Sequence, residues 1–166
     1  DGGAWTVGTV SGNRLSIPGL VNGTAYAVEI RAVNVIGAGA ASTPAQSATP
    51  RDVPQAPTGL LATGGDTTIA LTWTAPVVDN GSPLTDYAVQ TATSAGGPFT
   101  TFADGTSTTA ATTVTGRTNG TTYWVRVGAV NAVGTGAWTA PVAVTPYTIP
   151  AAPSVSLAPA DGSLHM

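Results

Sequence analysis

Residues 22–40, NGTAYAVEIRAVNVIGAGA, return at residues 119–137 as NGTTYWVRVGAVNAVGTGA. Tyr26 and Tyr123 lie 123 − 26 = 97 positions apart, and the pairs Asn34/Asn131 and Gly39/Gly136 keep that spacing. A second echo follows, PRDVPQAPT from Pro50 against PYTIPAAPS from Pro146. A repeat of this length is one whole small domain, too long for a solenoid unit and right for a β-sandwich. Within the later copy Tyr123, Val125, Val127 and Ala129 alternate with Trp124 and Arg126. That period of two puts the first set inward and the second outward on a half-buried strand.

The same alternation recurs on both sides. Thr67 to Ala75 reads TTIALTWTA, with Ile69, Leu71 and Trp73 pointing one way and Ala70 and Thr72 the other. Leu84 to Thr93 follows with Tyr87 and Val89 inward. A short strand is expected near Phe99, another ending at Val114, and a last one anchored by Val142 and Val144. Gly, Pro, Asn and Asp cluster between these runs, as in PVVDNGSP (76–83) and NAVGTG (131–136), which read as loops. No segment has helical periodicity. The expected class is all-β, an immunoglobulin-like β-sandwich in tandem repeats, with stiff proline joints at Pro50–Pro57 and Pro146–Pro153.

Composition narrows the function. Charged residues are 8% of the 166, against roughly 25% in an ordinary domain. With a net charge of −3 and no basic run, nucleic acid is not an expected partner. No apolar run reaches the length of a membrane span, so membrane insertion is not expected, and no signal peptide precedes Asp1. The reading is a window from a longer, processed chain. Cysteine is absent, which removes disulfides, thiolate metal sites and thiol nucleophiles. Lysine is absent too, which removes Schiff-base chemistry and lysine–asparagine cross-links.

These motifs resemble the fibronectin type III family. The likeness rests on APTGL at Ala56, the Thr72-Trp73 pair, GSPLTDYAV from Gly81, and above all NGTTYWVRVGAVNAVGTG. It implies that Tyr26 and Tyr123 are tyrosine-corner residues whose hydroxyls bond nearby backbone. The sequence departs from the family at Asn22 and Asn119, where proline is usual, and at Arg117, which replaces an apolar residue kept as Leu20. The Arg117 change puts the packing of one corner in question. The resemblance implies residues 1–50 as the C-terminal part of a first module and 54–146 as a complete one. Residues 151–166 would be strand A and the start of strand B of a third. Both partial modules then call for completion by flanking sequence or neighbouring chains.

Candidate sites are few. His165 is the sole histidine and is expected to be an outward strand residue, with Leu164 and Met166 inward. Asp79-Asn80-Gly81 reads as an Asx turn; Asp79 with Asp86 offers at most a weak cation site, because calcium needs six to eight oxygens. Asn22-Gly23-Thr24, Asn80-Gly81-Ser82 and Asn119-Gly120-Thr121 match the glycosylation sequon, but a sandwich needs NG turns there anyway. Trp5 and Phe99 share a position and are expected to cover a sheet edge. Trp124, near Gln90, and Trp138 are the exposed aromatics suited to a sugar or protein contact. Asp79, Asn80 and Asn131 lie in the BC and FG loops, at the pole where the family often binds partners.

No catalytic residue, cofactor or metal is expected. The expected function is a stiff, non-catalytic rod in an extracellular or bacterial cell-surface structural or adhesive protein, its partners being other modules or a protein or polysaccharide ligand. A virion or filament component, such as a phage fibre, is the first alternative. An accessory module of a secreted polysaccharide-degrading enzyme is the second.

Overall fold

The computed structural model describes residues 8–12, 14–154, 158–160 and 163–165. Every regular element among them is a β-strand. Before the Pro50 joint come β1 (Thr9–Ser11), β2 (Arg14–Ser16), β3 (Tyr26–Val28), β4 (Val33–Asn34), β5 (Gly37–Ala38) and β6 (Gln46–Ala48). After it come β7 (Thr58–Gly65), β8 (Thr68–Thr74), β9 (Leu84–Ala92), β10 (Thr100–Phe102) and β11 (Ala111–Val114). Then follow β12 (Tyr123–Asn131), β13 (Thr135–Trp138) and β14 (Val142–Val144), with β15 (Ala158–Ala160) and β16 (Ser163–His165) as a final hairpin. Trp5 and Met166 lie outside the described residues, as do the side chains of Leu164 and His165.

Strands β7 to β14 make two antiparallel sheets. One is ordered β11-β8-β7; the other is β10-β9-β12-β13, with β14 also paired to β12. Period-two alternation puts Ile69, Leu71 and Trp73 of β8 on the inner face, joined by Val114 of β11. They meet Tyr87 and Val89 of β9, Tyr123, Val125, Val127 and Ala129 of β12, and Val144 of β14. Ile69, Val89, Val114, Val125 and Val127 are fully buried, so each contributes about 2 kcal/mol of transfer free energy. Trp73 and Tyr87 meet edge to face, ring centroids 5.0 Å apart. The indole Nε1 of Trp73 is buried without a hydrogen-bond partner.

The strand bounds differ from the expected ones for identifiable reasons. β8 starts at Thr68 because Thr67, at φ 52°, is in the turn. The alternation from Tyr123 predicts a strand over Thr121 to Val130, but β12 starts at Tyr123 because Thr121 and Thr122 belong to the bend that the tyrosine hydroxyl closes, and it ends at Asn131. The NAVGTG segment is not all loop: Thr135 and Gly136 open β13, whose pairing with β12 shifts register between Gly128 and Val130.

The repeated stretches make the same local bonds. The Tyr26 hydroxyl accepts from Val21 N at 2.9 Å and that of Tyr123 from Thr118 N at 3.1 Å. Asn34 Oδ1 accepts from Ile36 N and Gly37 N, as Asn131 Oδ1 does from Val133 N and Gly134 N. β3 pairs with β6 as β12 pairs with β14, tyrosine opposite Ala48 or Val144. The β15–β16 hairpin places Ala158, Pro159 and Ala160 against His165, Leu164 and Ser163; Thr63, Gly64 and Gly65 stand likewise against Ala70, Ile69 and Thr68.

Arg117 answers the question its sequence position raised. Its guanidinium lies over the rings of Tyr123 and Phe102, 5.4 and 5.9 Å from their centroids, and Nη1 reaches Thr91 Oγ1 at 3.4 Å. The guanidinium thus lies against the rings at the position that Leu20 holds in the other copy, while Nε donates to Thr115 O at 3.1 Å.

Candidate functional site: the joint pole and the aromatic sheet face

Three of the six candidate residues converge on one end of the sandwich, and what they hold is the preceding joint. The Asn131 carboxamide is only 4% exposed. Its Oδ1 shapes the turn, and the two Nδ2 protons are shared among three carbonyls: Asp52 O at 2.8 Å, Asp79 O at 3.2 Å and Ser82 O at 3.3 Å. Asn80 adds a bond from its Nδ2 to Val53 O at 2.7 Å, and its carbonyl accepts from Asp52 N at 3.0 Å. Asn80 adopts φ 56°, a left-handed conformation asparagine tolerates better than most residues. Asp79 Oδ1 accepts from Gly81 N at 3.0 Å, which is the Asx turn expected there.

Proline and glycine complete the seat. Pro54 and Pro57 are buried, unlike most of the joint around them. Gly136 packs so tightly on Pro54 O that a Cβ at this position would collide with it. Gly81 abuts the backbone of Gly23 in the Asn22-Gly23-Thr24 turn, leaving the same lack of room for a side chain. The two NG turns on either side of the joint therefore touch backbone to backbone.

At the opposite pole Asn119 is also engaged: Nδ2 donates to Asp66 Oδ1 at 2.7 Å and Oδ1 accepts from Thr67 N at 2.9 Å. This is the use to which the departure from proline is put. Beside it, the Thr118 hydrogen bonds to the Tyr123 hydroxyl, and then the positive charge of Arg117, hold the phenol below its ordinary pKa against the opposing effect of burial.

The other three candidates lie on the outer face of the β10-β9-β12-β13 sheet. Arg126 is the centre of this group, and the aromatic pattern alone did not single it out. Its guanidinium stands 4.0 Å from the Phe99 ring centroid and 4.8 Å from that of Trp138. Nε and Nη2 both donate to Gln90 Oε1, at 3.0 and 2.7 Å. Trp138 can reach this place because it lies across Gly128, where a Cβ would stand 3.2 Å from the indole. Trp138 and Phe99 are half-buried partners of a cation, a contact worth about 1 kcal/mol each. Trp124 is also half-buried; it lies on β12 opposite Ala92 of β9 and Ala143 of β14. A sequence signal existed, since Arg126 lies two residues from Trp124 and faces the same side.

Asp79 and Asp86 each cap backbone: Asp79 Oδ1 accepts from Gly81 N and Asp86 Oδ1 from Ser107 N at 2.9 Å, and among the described residues no group of three or more acidic, histidine or cysteine side chains gathers.

A three-stranded sheet facing a larger one, with a tyrosine corner at the start of β12, defines an immunoglobulin-like β-sandwich. Within that class the chain belongs to the fibronectin type III family, whose domain profile matches residues 55–145. Domains of this family are generally non-catalytic modules. An Fn3-like protein from Clostridium thermocellum is 31% identical over 60% of this chain and 100% of its own, with a TM-score of 0.48. A crystal structure of titin domains aligns over 83% of this chain at 20% identity and a TM-score of 0.54, which shows the shared fold. The chain spans 52% of that titin structure. It spans 16% of a structure of titin kinase and its flanking domains, at 30% identity over 54% of this chain and a TM-score of 0.48.

Proposed function

We propose that this chain is a non-catalytic spacer: consecutive fibronectin type III modules held as a stiff rod in an extracellular or cell-surface protein. In this reading residues 1–50 and 151–166 are parts of the modules on either side of the complete one at 54–146. The observation that carries it is the seating of the joint. Asn131 and Asn80 grip Asp52 and Val53 by hydrogen bonds each worth about 1 kcal/mol, and Pro54 is packed against Gly136. A free linker would leave those donors to water, and successive units would bend independently.

The BC and FG loops at this pole are therefore spent on the neighbouring segment, which argues against a ligand there. The sparse charge fits the same reading, because nothing on the surface is arranged to steer a charged partner.

Residual dipolar couplings test the rod. Couplings from residues 14–48 and 58–144 of the native chain are expected to fit one alignment tensor. Asn80→Gly keeps the left-handed backbone but deletes the bond to Val53, and Asn131→Ala deletes the three-carbonyl grip. Each is expected to split the fit into two tensors, with Asn131→Ala costing about 2 kcal/mol of stability in chemical denaturation. Two independent tensors in the native chain would refute the rod.

A further inference from the structure

The outer face of the β10-β9-β12-β13 sheet holds an arginine fixed on three sides and open on the fourth. Every strand of this face belongs to the complete sandwich. Gln90 Oε1 accepts from both Arg126 Nε and Arg126 Nη2, so one edge of the guanidinium is filled. The Phe99 and Trp138 rings flank it, with centroids 4.0 and 4.8 Å from the guanidinium carbon. Gln90 is itself held, because its Nε2 donates to Thr101 Oγ1 at 3.3 Å and so turns Oε1 toward Arg126.

The end edge of the guanidinium is what remains. A guanidinium carries five N–H donors, and Gln90 takes one from each of two nitrogens. The other Arg126 donors, on Nη1 and Nη2, have no acceptor among the described residues, and no carboxylate there lies within ion-pair distance. This edge presents two parallel N–H groups, the geometry that a carboxylate takes in two hydrogen bonds. The side chain is half-buried between its partners, so the cost of ordering it falls on folding and not on binding.

The neighbours along β12 indicate what carries the carboxylate. Trp124, Arg126 and Gly128 face the same side by period two, and the Trp138 indole covers Gly128. Aromatic, cation and aromatic thus follow one another along the strand at steps of about 6.8 Å. Around them stand Ala88, Ala92, Ala143 and Thr101, all uncharged. Asp86 shares the face but pairs with Val130, four residues along from Arg126, and its carboxylate is spent on Ser107 N. A protein partner buries about 800 Å² a side around apolar anchors, which this flat, small-residue face lacks. A sugar needs only a ring to stack on and donors for its polar groups. One cation between two aromatics, on a chain of net charge −3, matches an acidic sugar between neutral ones and not a dense polyanion.

We infer that this face binds a glycan in which a uronic acid alternates with neutral sugars. The carboxylate seats on the end edge of Arg126, and the neutral pyranose rings lie on Trp124 and Trp138. Recognition works by contact and not by long-range attraction. The site lies on a sheet face and the joint at a pole, so the two are independent.

The test is isothermal titration calorimetry of the full chain with a hyaluronan hexasaccharide, in which glucuronate alternates with neutral N-acetylglucosamine. The native chain is expected to bind it with a Kd of about 0.1–1 mM, the range open to a small preorganised site. Arg126→Lys keeps the charge but not the planar fork and is expected to weaken binding by at least about tenfold. Trp124→Ala leaves the fork in place and is expected to weaken binding by about threefold or more through lost stacking. Two further probes decide the class of ligand. Chitohexaose, the neutral N-acetylglucosamine oligomer, and an alternating Glu-Thr peptide are each expected to bind at least about tenfold more weakly. Should Arg126→Lys unfold the sandwich, Trp124→Ala and the two probes carry the test. Asn131→Ala loosens the joint and is expected to leave glycan binding unchanged, so failure of the rod and failure of this site are distinguishable. Three outcomes would overturn the inference: no native binding at about 5 mM glycan, a folded Arg126→Lys chain that binds like the native one, or either further probe binding as tightly as the hexasaccharide.

Discussion

Val28 and Val125 occupy the same place in the repeated stretch, two residues after the corner tyrosine, yet they stand in different surroundings. Val125 is fully buried between two sheets, whereas Val28 is half-exposed on the two-stranded β3–β6 ribbon. Both tyrosine corners close and both asparagine turns fold, because those bonds span five residues or fewer. The opposing sheet is what differs. Local sequence therefore sets the shape of the strand, and the facing layer sets its energetic weight.

The largest test of this contrast is a matched pair of truncations. Val125→Ala is expected to cost about 2–3 kcal/mol, from lost transfer energy and an unfilled cavity. Val28→Ala is expected to cost less than about 1 kcal/mol. Denaturant midpoints report the first and amide exchange across Tyr26–Val28 the second; equal costs would mean that the facing layer does not matter.

A middle-sized effect is expected at the tyrosine corners. Tyr123→Phe removes the acceptor for Thr118 N and is expected to cost about 1 kcal/mol near neutral pH, read from the midpoint of urea unfolding. The folded phenol has a lowered pKa, so its ionised form is favoured by folding. That further stabilisation is fully present above the unfolded tyrosine pKa and is lost as pH falls through the folded one. The gap between native and Tyr123→Phe is thus expected to widen in the alkaline range and to be flat below it. A gap that narrows on raising the pH would contradict the sign.

The smallest effect concerns Thr67, a β-branched residue at φ 52°. Thr67→Asn keeps the Thr67 N bond to Asn119 and suits the left-handed backbone better. It is expected to raise stability by about 0.5–1 kcal/mol, a gain of a few degrees in Tm by calorimetry. Since no equivalent turn backs Asn22 among the described residues, the gain is confined to the complete sandwich.

Much of the architecture was legible in the residues. Alternation at Ile69, Leu71 and Trp73 and from Tyr123 to Ala129 marked the core strands, because burying one face of a strand requires a period of two. The site was legible only in part. Asp79 was correctly an Asx residue, but Asn80 and Asn131 looked like free loop polar groups. Their partners Val53 and Asp52 lie 27 and 79 positions away, beyond any local pattern. Arg126 was seen as outward, but its place between Phe99 and Trp138 depended on two other strands and on Gly128 being bare.

By itself the order of residues determined an all-β chain, the positions of its inward side chains, its turns and its lack of thiol or lysine chemistry. Those follow from backbone geometry and composition, which act over a few neighbouring positions. Only the tertiary structure decided that the loops at one pole grip the joint before them, and that Arg126 stands between Phe99 and Trp138. The reason is that a hydrogen bond or a void exists between surfaces, and surfaces meet only once the sheets have closed.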